Sequence, residues 1–406
     1  MRIRRIAFPL IFLAAATGAD WPGLLGPHRD GISTETGLQL TWPAKGPPLV
    51  WQCDVGEGYS GPAVVGNGLI LFHRTGGDEV IERLDAGTGK RGWKLSYPAA
   101  YSDSFGKGDG PRATPIIADG RVWTLGAAGH LTCVDMETGR RRWQRDLSAD
   151  YNPRPNFFGV GTTPRLEDGK LLVNVGAAGA GVVAFDSATG KEVWKSTDQG
   201  ASYASPVVAT IDGVRHAIFF TREGVVSLDP ATGAVRFSKR WRSRLSASVN
   251  AATPLVSGDM VFVTASYGTG ALLLRCRKDA AEQVWANDQV MSSQYVTPVI
   301  RDGYLYGCDG RSDAGTVALR CLELATGKVR WSKESFGCAS ITYADGKLIL
   351  LTEGGELATA DCSPDGYREL ARAIILDGPV RALPALAVGR LYARDNHRLA
   401  CWDLRK

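Results

Sequence analysis

One unit recurs along the whole chain, and no other feature limits its fold so sharply. The unit is Thr/Ser-Pro, an apolar strand, Asp-Gly, a second strand, a Gly-rich turn, a third strand ending in Asp, then Thr-Gly, then Trp. Thr114-Pro115 leads through Asp119-Gly120, Asp135 and Thr138-Gly139 to Trp143. Thr163-Pro164 leads in the same way to Trp194, Ser205-Pro206 to Phe237, and Thr297-Pro298 to Trp331. Gly61-Pro62 opens a looser copy that ends at Trp93, and Thr253-Pro254 one that keeps Trp285 but has Ala280-Ala281 for Thr-Gly. A seventh unit keeps Asp345-Gly346 and Asp361 without a Trp, and an eighth runs from Pro384 to Asp403. The first six prolines lie 42 to 53 residues apart, the period of four-stranded propeller blades.

Each part of the unit has a mechanical reason. Asp-Gly between two apolar runs makes a tight hairpin, because glycine takes positive φ without strain. The Asp of Asp-x-x-Thr-Gly accepts turn N–H groups. A Trp eight residues after that Asp supplies a wedge of apolar area between blades. The last unit lacks a fourth strand, whereas Leu49–Val55, with Trp51, has no unit of its own. That segment completes the eighth blade and leaves no open sheet edge. The expectation is an all-β, eight-bladed β-propeller over 49–406, preceded by an extension at 20–48.

The Asp-x-x-Thr-Gly-x-x-x-Trp units resemble the tryptophan-docking repeats of the PQQ-like, or quinoprotein-like, β-propellers. The resemblance runs from about Leu49 to Asp403. The opening Asp20-Trp21-Pro22-Gly23 and Gly26-Pro27-His28-Arg29-Asp30-Gly31 resembles the preamble of secreted bacterial members. Fold alone leaves function open, because functions are grafted onto shared folds.

Charge and composition narrow the classes. The formal charge of +5 includes Arg2, Arg4 and Arg5; without residues 1–19 the balance is 44 basic to 42 acidic groups. A near-neutral chain has no electrostatic footprint for nucleic acid. Residues 1–19 read as a signal peptide: a basic start, an apolar run Ile6–Ala16 too short to span a bilayer, then small residues before Asp20. A periplasmic or extracellular monomer that does not span the membrane follows. The alternative for the leader is an uncleaved anchor. Export permits disulfides, but the eight cysteines show no metal-ligand spacing. Cys133, Cys276, Cys321 and Cys401 share a third-strand slot and read as small buried residues. Cys308 and Cys338 fall near the channel mouth on adjacent blades, either as separate thiols or as a pair.

Candidate ligand-binding residues come from their place in the repeat. The loops leading into the innermost strands carry Tyr59, Ser60, Arg112, Thr162, Tyr203, Asn250, Gln294, Tyr295 and Phe336. The loops joining the second and third strands carry His73, Arg74, Arg222, Glu223, Tyr267, Asp309, Arg311, Asp313, Glu353, Arg394 and Asp395. Both sets rim one funnel of the channel. Tyr59, Arg112, Tyr203, Arg222, Asn250, Tyr295, Asp309 and Asp395 are the set expected to hold a ligand. Aromatic, amide and guanidinium groups suit a concave binding site; mutual rim packing and solvated loops are the competing readings. Asp309–Asp313 lacks the spacing and closing Glu of a calcium loop. No catalytic serine motif is present.

Two function classes remain. The resemblance implies either a PQQ-dependent dehydrogenase, with PQQ, Ca2+, a catalytic Asp and an adjacent Cys pair, or a non-catalytic envelope scaffold of the outer-membrane assembly type. The chain has no Cys-Cys and lacks the long insertions of the enzymes. An envelope protein or a small polar ligand is therefore the expected partner, with no cofactor. A sugar- or peptide-binding propeller is a further alternative.

Overall fold

The computed structural model describes residues 19–154 and 157–406, so the signal-peptide reading, apart from Ala19, lies outside the described residues. Eight four-stranded antiparallel sheets account for all 32 described strands. The described helices are one α-helical turn, Leu147–Tyr151, and one 3-10 turn, Ser312–Ala314. No helix among the described residues is long and apolar enough to cross a membrane.

Each blade begins at the channel with a short strand, such as Ala63–Val65, Ile116–Ala118 or Val299–Arg301. The innermost strands of neighbouring blades pack side by side around the axis. Asp119 and Gly120 both take positive φ, 48° and 67°, as a two-residue hairpin turn that follows the twist of its strands requires. In the outer turn, the Asp186 carboxylate accepts the Thr189 amide at 2.8 Å and its hydroxyl at 2.7 Å. The Thr189 hydroxyl bond holds the Asp186 carboxyl below its ordinary range.

Tryptophan couples six of the blades to the next. The Trp93 indole donates to Met136 O at 2.9 Å, Trp143 to Ser187 O at 3.2 Å and Trp194 to Pro230 O at 3.2 Å. Each ring lies on the Thr-Gly glycine of the following blade. A Cβ at Gly139 would sit 2.4 Å from the Trp93 ring, and one at Gly233 2.5 Å from Trp194. The glycine thus serves twice: its φ is positive, and its bare Cα receives the indole. Trp194 is buried, whereas Trp143 and Trp331 are half-buried, because the outermost strand keeps one face toward solvent.

Trp51 makes the same contact across the closure. Leu49–Asp54 pairs with Arg398–Asp403, Trp51 opposite Cys401, and the Trp51 indole donates to Ala86 O of blade 1 at 2.9 Å. Cys133 and Cys321 likewise stand opposite Trp143 and Trp331. Cys276 departs from the expected slot, because Leu273 faces Trp285 while Cys276 faces Ala281.

The extension is part of the fold. Trp21 bridges Val64, Ile32 bridges Tyr343 and Leu38 bridges Arg405, so it pairs the free edges of two innermost strands and the chain end.

Truncating Trp194 to Ala removes a buried indole and leaves its cavity, and a loss of about 3–5 kcal/mol is expected. Gly233→Ala should also destabilise, because the added Cβ meets the same ring at a φ of +77°. Chemical denaturation checks both; wild-type stability in either variant would contradict the wedge role.

Candidate functional site

The −1 position, just before the proline, links five successive blades around the channel. The Thr114 amide donates to Thr163 Oγ1 at 3.0 Å, Thr163 to Ser205 Oγ at 2.9 Å, Ser205 to Thr253 Oγ1 at 3.4 Å and Thr253 to Thr297 Oγ1 at 2.9 Å. These hydroxyls satisfy amides at an innermost edge that has no strand partner.

The −3 position points into the funnel. Tyr59, Arg112, Gly161, Tyr203, Ala251, Tyr295 and Arg381 all stand three residues before a unit's proline, and all line one cavity of about 290 Å3. Phe158, Tyr267, Lys107, Gln294 and Asp313 complete its upper wall, and Leu24 of the extension also contacts it. Beside Leu24, Arg29 is buried and donates to the carbonyls of Thr163 and Pro206 at 3.1 and 3.0 Å, and to that of Pro164. The extension therefore reaches both the cavity and the channel wall of blades 3 and 4. Burial, with Arg165 adding repulsion, pulls Arg29 well below the usual guanidinium range.

The funnel side chains hold one another in place. Arg112 donates to Gly110 O and Gly108 O, both at 2.9 Å. Its guanidinium lies 5.8 Å from the Tyr59 ring centre and 5.3 Å from that of Tyr101, within cation–π range. Arg381 donates to Glu353 at 2.6 Å and stands over Tyr59 and Tyr295. Burial opposes its charge, but the Glu353 pair prevails and raises it above the usual value. The Tyr295 hydroxyl donates to Glu353 at 3.1 Å, and the Phe158 amide donates to Tyr203 at 2.7 Å. Burial pushes Tyr203 up to about 12 and Tyr295 further. Both phenols are therefore neutral at physiological pH and act as hydrogen-bonding groups rather than general bases.

Four of the eight expected ligand residues, Tyr59, Arg112, Tyr203 and Tyr295, meet in this cavity. The other four do not line it. Asn250 stands one residue off the inward slot, and its buried amide donates to Thr221 O at 2.8 Å and Trp241 O at 3.2 Å. Arg222 lies on the rim, bonded to Ser248 and to the Ser246 carbonyl, 5.8 Å from the Phe157 ring. Asp309 pairs with Arg320 at 2.7 Å and caps the Ser292 amide. Asp395 accepts the amides of His397 and Arg398, both at 2.8 Å, as the acceptor of its own turn.

The other loop charges are similarly engaged. Arg74 holds the Tyr101 carbonyl at 3.0 Å, Glu223 accepts the Gly200 amide at 2.8 Å, and Arg394 bonds the Gly56 and Asp395 carbonyls. Sequence reasoning missed Arg381, although it occupies the same −3 slot before Pro384. It also missed Lys107 and Phe158, which come from long loops outside the repeat and carry no such signal.

Two carboxylates near the funnel are engaged by arginines. Ca2+ takes six to eight oxygen ligands. Here Asp313 is tied to Arg311 and Glu353 to Arg381. Among the described residues, no three His, Cys, Asp or Glu side chains are grouped to hold a metal.

Eight four-stranded sheets around a channel with a loop-built funnel, six of them docked through a tryptophan, define a PQQ-like β-propeller. The family profile described as outer membrane protein assembly factor BamB matches residues 48–153 and 77–320, most of the chain, which belongs to that family. The chain is 25% identical over 293 residues to outer membrane protein assembly factor BamB of Burkholderia pseudomallei, covering 68% of this chain and 69% of the relative. It is 30% identical over 155 residues to quinohemoprotein alcohol dehydrogenase ADH-IIG of Pseudomonas putida, but spans only 21% of that enzyme and 36% of itself. The crystal structure of BamB from Moraxella catarrhalis superposes with a TM-score of 0.63 at 17% identity, over 87% of this chain and 97% of that one. That likeness shows the fold.

Arg112→Ala removes the donor that joins the carbonyls of Gly108 and Gly110. The expected result is faster amide exchange across residues 103–110, with the blades unchanged. Unchanged exchange in that loop would show that Arg112 does not order it.

Proposed function

We propose that this protein is an exported, non-catalytic β-propeller of the bacterial cell envelope, which binds a ligand or a partner segment in its funnel. One observation carries the reading. The funnel presents neutral phenols and guanidinium groups fixed by backbone carbonyls or an ion pair, which gives stacking faces and directed donors. It does not present a nucleophile held against a base. Membership of the assembly-factor family supports a partner of protein nature.

The rim supports it too. Phe105 and Phe157 are 55% and 37% exposed, and with Phe158 they form an edge-to-face cluster with ring centres 5.4 to 6.3 Å apart. Exposed aromatic groups beside a cationic funnel suit a polar or acidic segment carrying an apolar anchor. No PQQ or Ca2+ is part of this reading. The second reading, a quinoprotein dehydrogenase, is favoured by the 30% identity to the Pseudomonas putida enzyme.

A photo-crosslinking residue in place of Phe158, in living cells, tests the binding reading. A discrete envelope protein should be trapped there, should not be trapped from Val193 on the outer face, and should be lost when Tyr203→Ala is added to a folded chain. Equal labelling from both positions, or labelling indifferent to Tyr203→Ala, would count against the funnel.

A further inference from the structure

The ring of hydroxyl latches stops at Thr297. The next unit carries Ser340 in the −1 slot, but its hydroxyl donates to Leu351 O at 3.3 Å within its own blade. Sulfur occupies this joint instead. Cys308, on strand Tyr304–Arg311 of blade 6, reaches the start of strand Ala339–Ala344 of blade 7. Its Sγ accepts the Ala339 amide at 3.4 Å and donates to the Ala339 carbonyl at 3.5 Å. Cys338 is the residue just before, and the two cysteines share one buried cluster. The two strands pack side by side.

Access to the two sulfurs is unequal. Cys338 borders an open groove of about 440 Å3 with Gly315, Phe336, Glu353 and Pro379, which Cys308 does not line. Cys308 is 1% exposed. The neighbouring Cys308 thiol outweighs burial and holds the Cys338 thiol below its ordinary value, while Cys338 and burial push Cys308 up. A reachable, more acidic thiol in front of a buried one is the arrangement for stepwise thiol–disulfide exchange.

We propose that Cys308 and Cys338 form an inter-blade disulfide, which replaces the missing hydroxyl latch between blades 6 and 7. The oxidant is a small or protein disulfide, such as glutathione disulfide. The Cys338 thiolate attacks one donor sulfur, the donor S–S bond breaks, and one donor thiolate leaves. The Cys308 thiolate then attacks the Cys338 sulfur of the mixed disulfide, and the second donor thiolate leaves. The two cysteine protons end on the two donor thiols; the protein loses two electrons and the donor gains two. The bond fixes residues 337–339 beside Tyr295, which packs against the cluster that holds Cys338, and so sets one wall of the funnel. The inference stands apart from the identity of any ligand.

The test uses the full chain, reduced, then exposed to glutathione disulfide at neutral pH, denatured, alkylated and digested. Six of the eight cysteines should be alkylated, and mass spectrometry should find one linked peptide joining Cys308 to Cys338. Reduction should return all eight and lower Tm by on the order of 5 °C. Eight alkylated cysteines after glutathione disulfide treatment, or a linked peptide joining any other two, would overturn the proposal. Because the wild-type chain is read directly, no variant need fold. Cys308→Ser should leave no link to Cys338, and persistence of that mass would show the assignment to be wrong.

Discussion

The fold rests on one contact made repeatedly: an indole laid on the bare Cα of a glycine in the next blade. The contact needs Trp on one unit and left-handed glycine on the next, so neither residue makes sense within its own blade. Its energy combines buried aromatic area with an indole N–H donated to a turn carbonyl, such as Trp285 to Leu324 at 2.9 Å. At two joints the receiving unit and the donor depart from the pattern together. Phe237 replaces Trp in the unit facing Ala280-Ala281, and packs instead in an apolar cluster with Val261, Leu274 and Cys276. The seventh unit has no Trp, and the eighth, which would receive it, ends without Thr-Gly.

From that ring of contacts the funnel follows by register. The wedge fixes neighbouring blades from outside, and the −1 hydroxyls tie several of them from inside. With both fixed, the residue two positions earlier faces the axis in every unit that lines the cavity. A repeat that serves stability thus displays one chosen side chain per blade at a common depth. Leu24 of the extension lines this cup, and Arg29 bonds the carbonyls at the start of two innermost strands beside it.

The eight blades, the closure by Leu49–Asp54 and the glycine turns were legible in the sequence, because each is a local signal repeated at a fixed period. The funnel was half legible. Tyr59, Arg112, Tyr203 and Tyr295 share a register that the sequence displays, and Arg381 shares it in a unit whose other signals have faded. Asn250 shows the limit: a shift of one residue turns an amide from the cavity to the backbone of Thr221 and Trp241. Arg222, Asp309 and Asp395 show another. A loop charge is as useful for capping nearby amides and carbonyls as for meeting a ligand, and sequence does not separate the two uses. The buried Arg29 carried a motif but no hint that carbonyls alone would receive it.

The central claim is that this cup binds without turning over a quinone. Its arginines are committed to carbonyls, rings and Glu353, and Asp313 to Arg311. The direct measurement is a spectroscopic titration of the purified chain with PQQ and Ca2+, followed by dye reduction in the presence of an alcohol. The expected result is no Ca2+-dependent saturation of the quinone absorbance and no dye reduction. Saturable, Ca2+-dependent binding with alcohol-dependent dye reduction would contradict it.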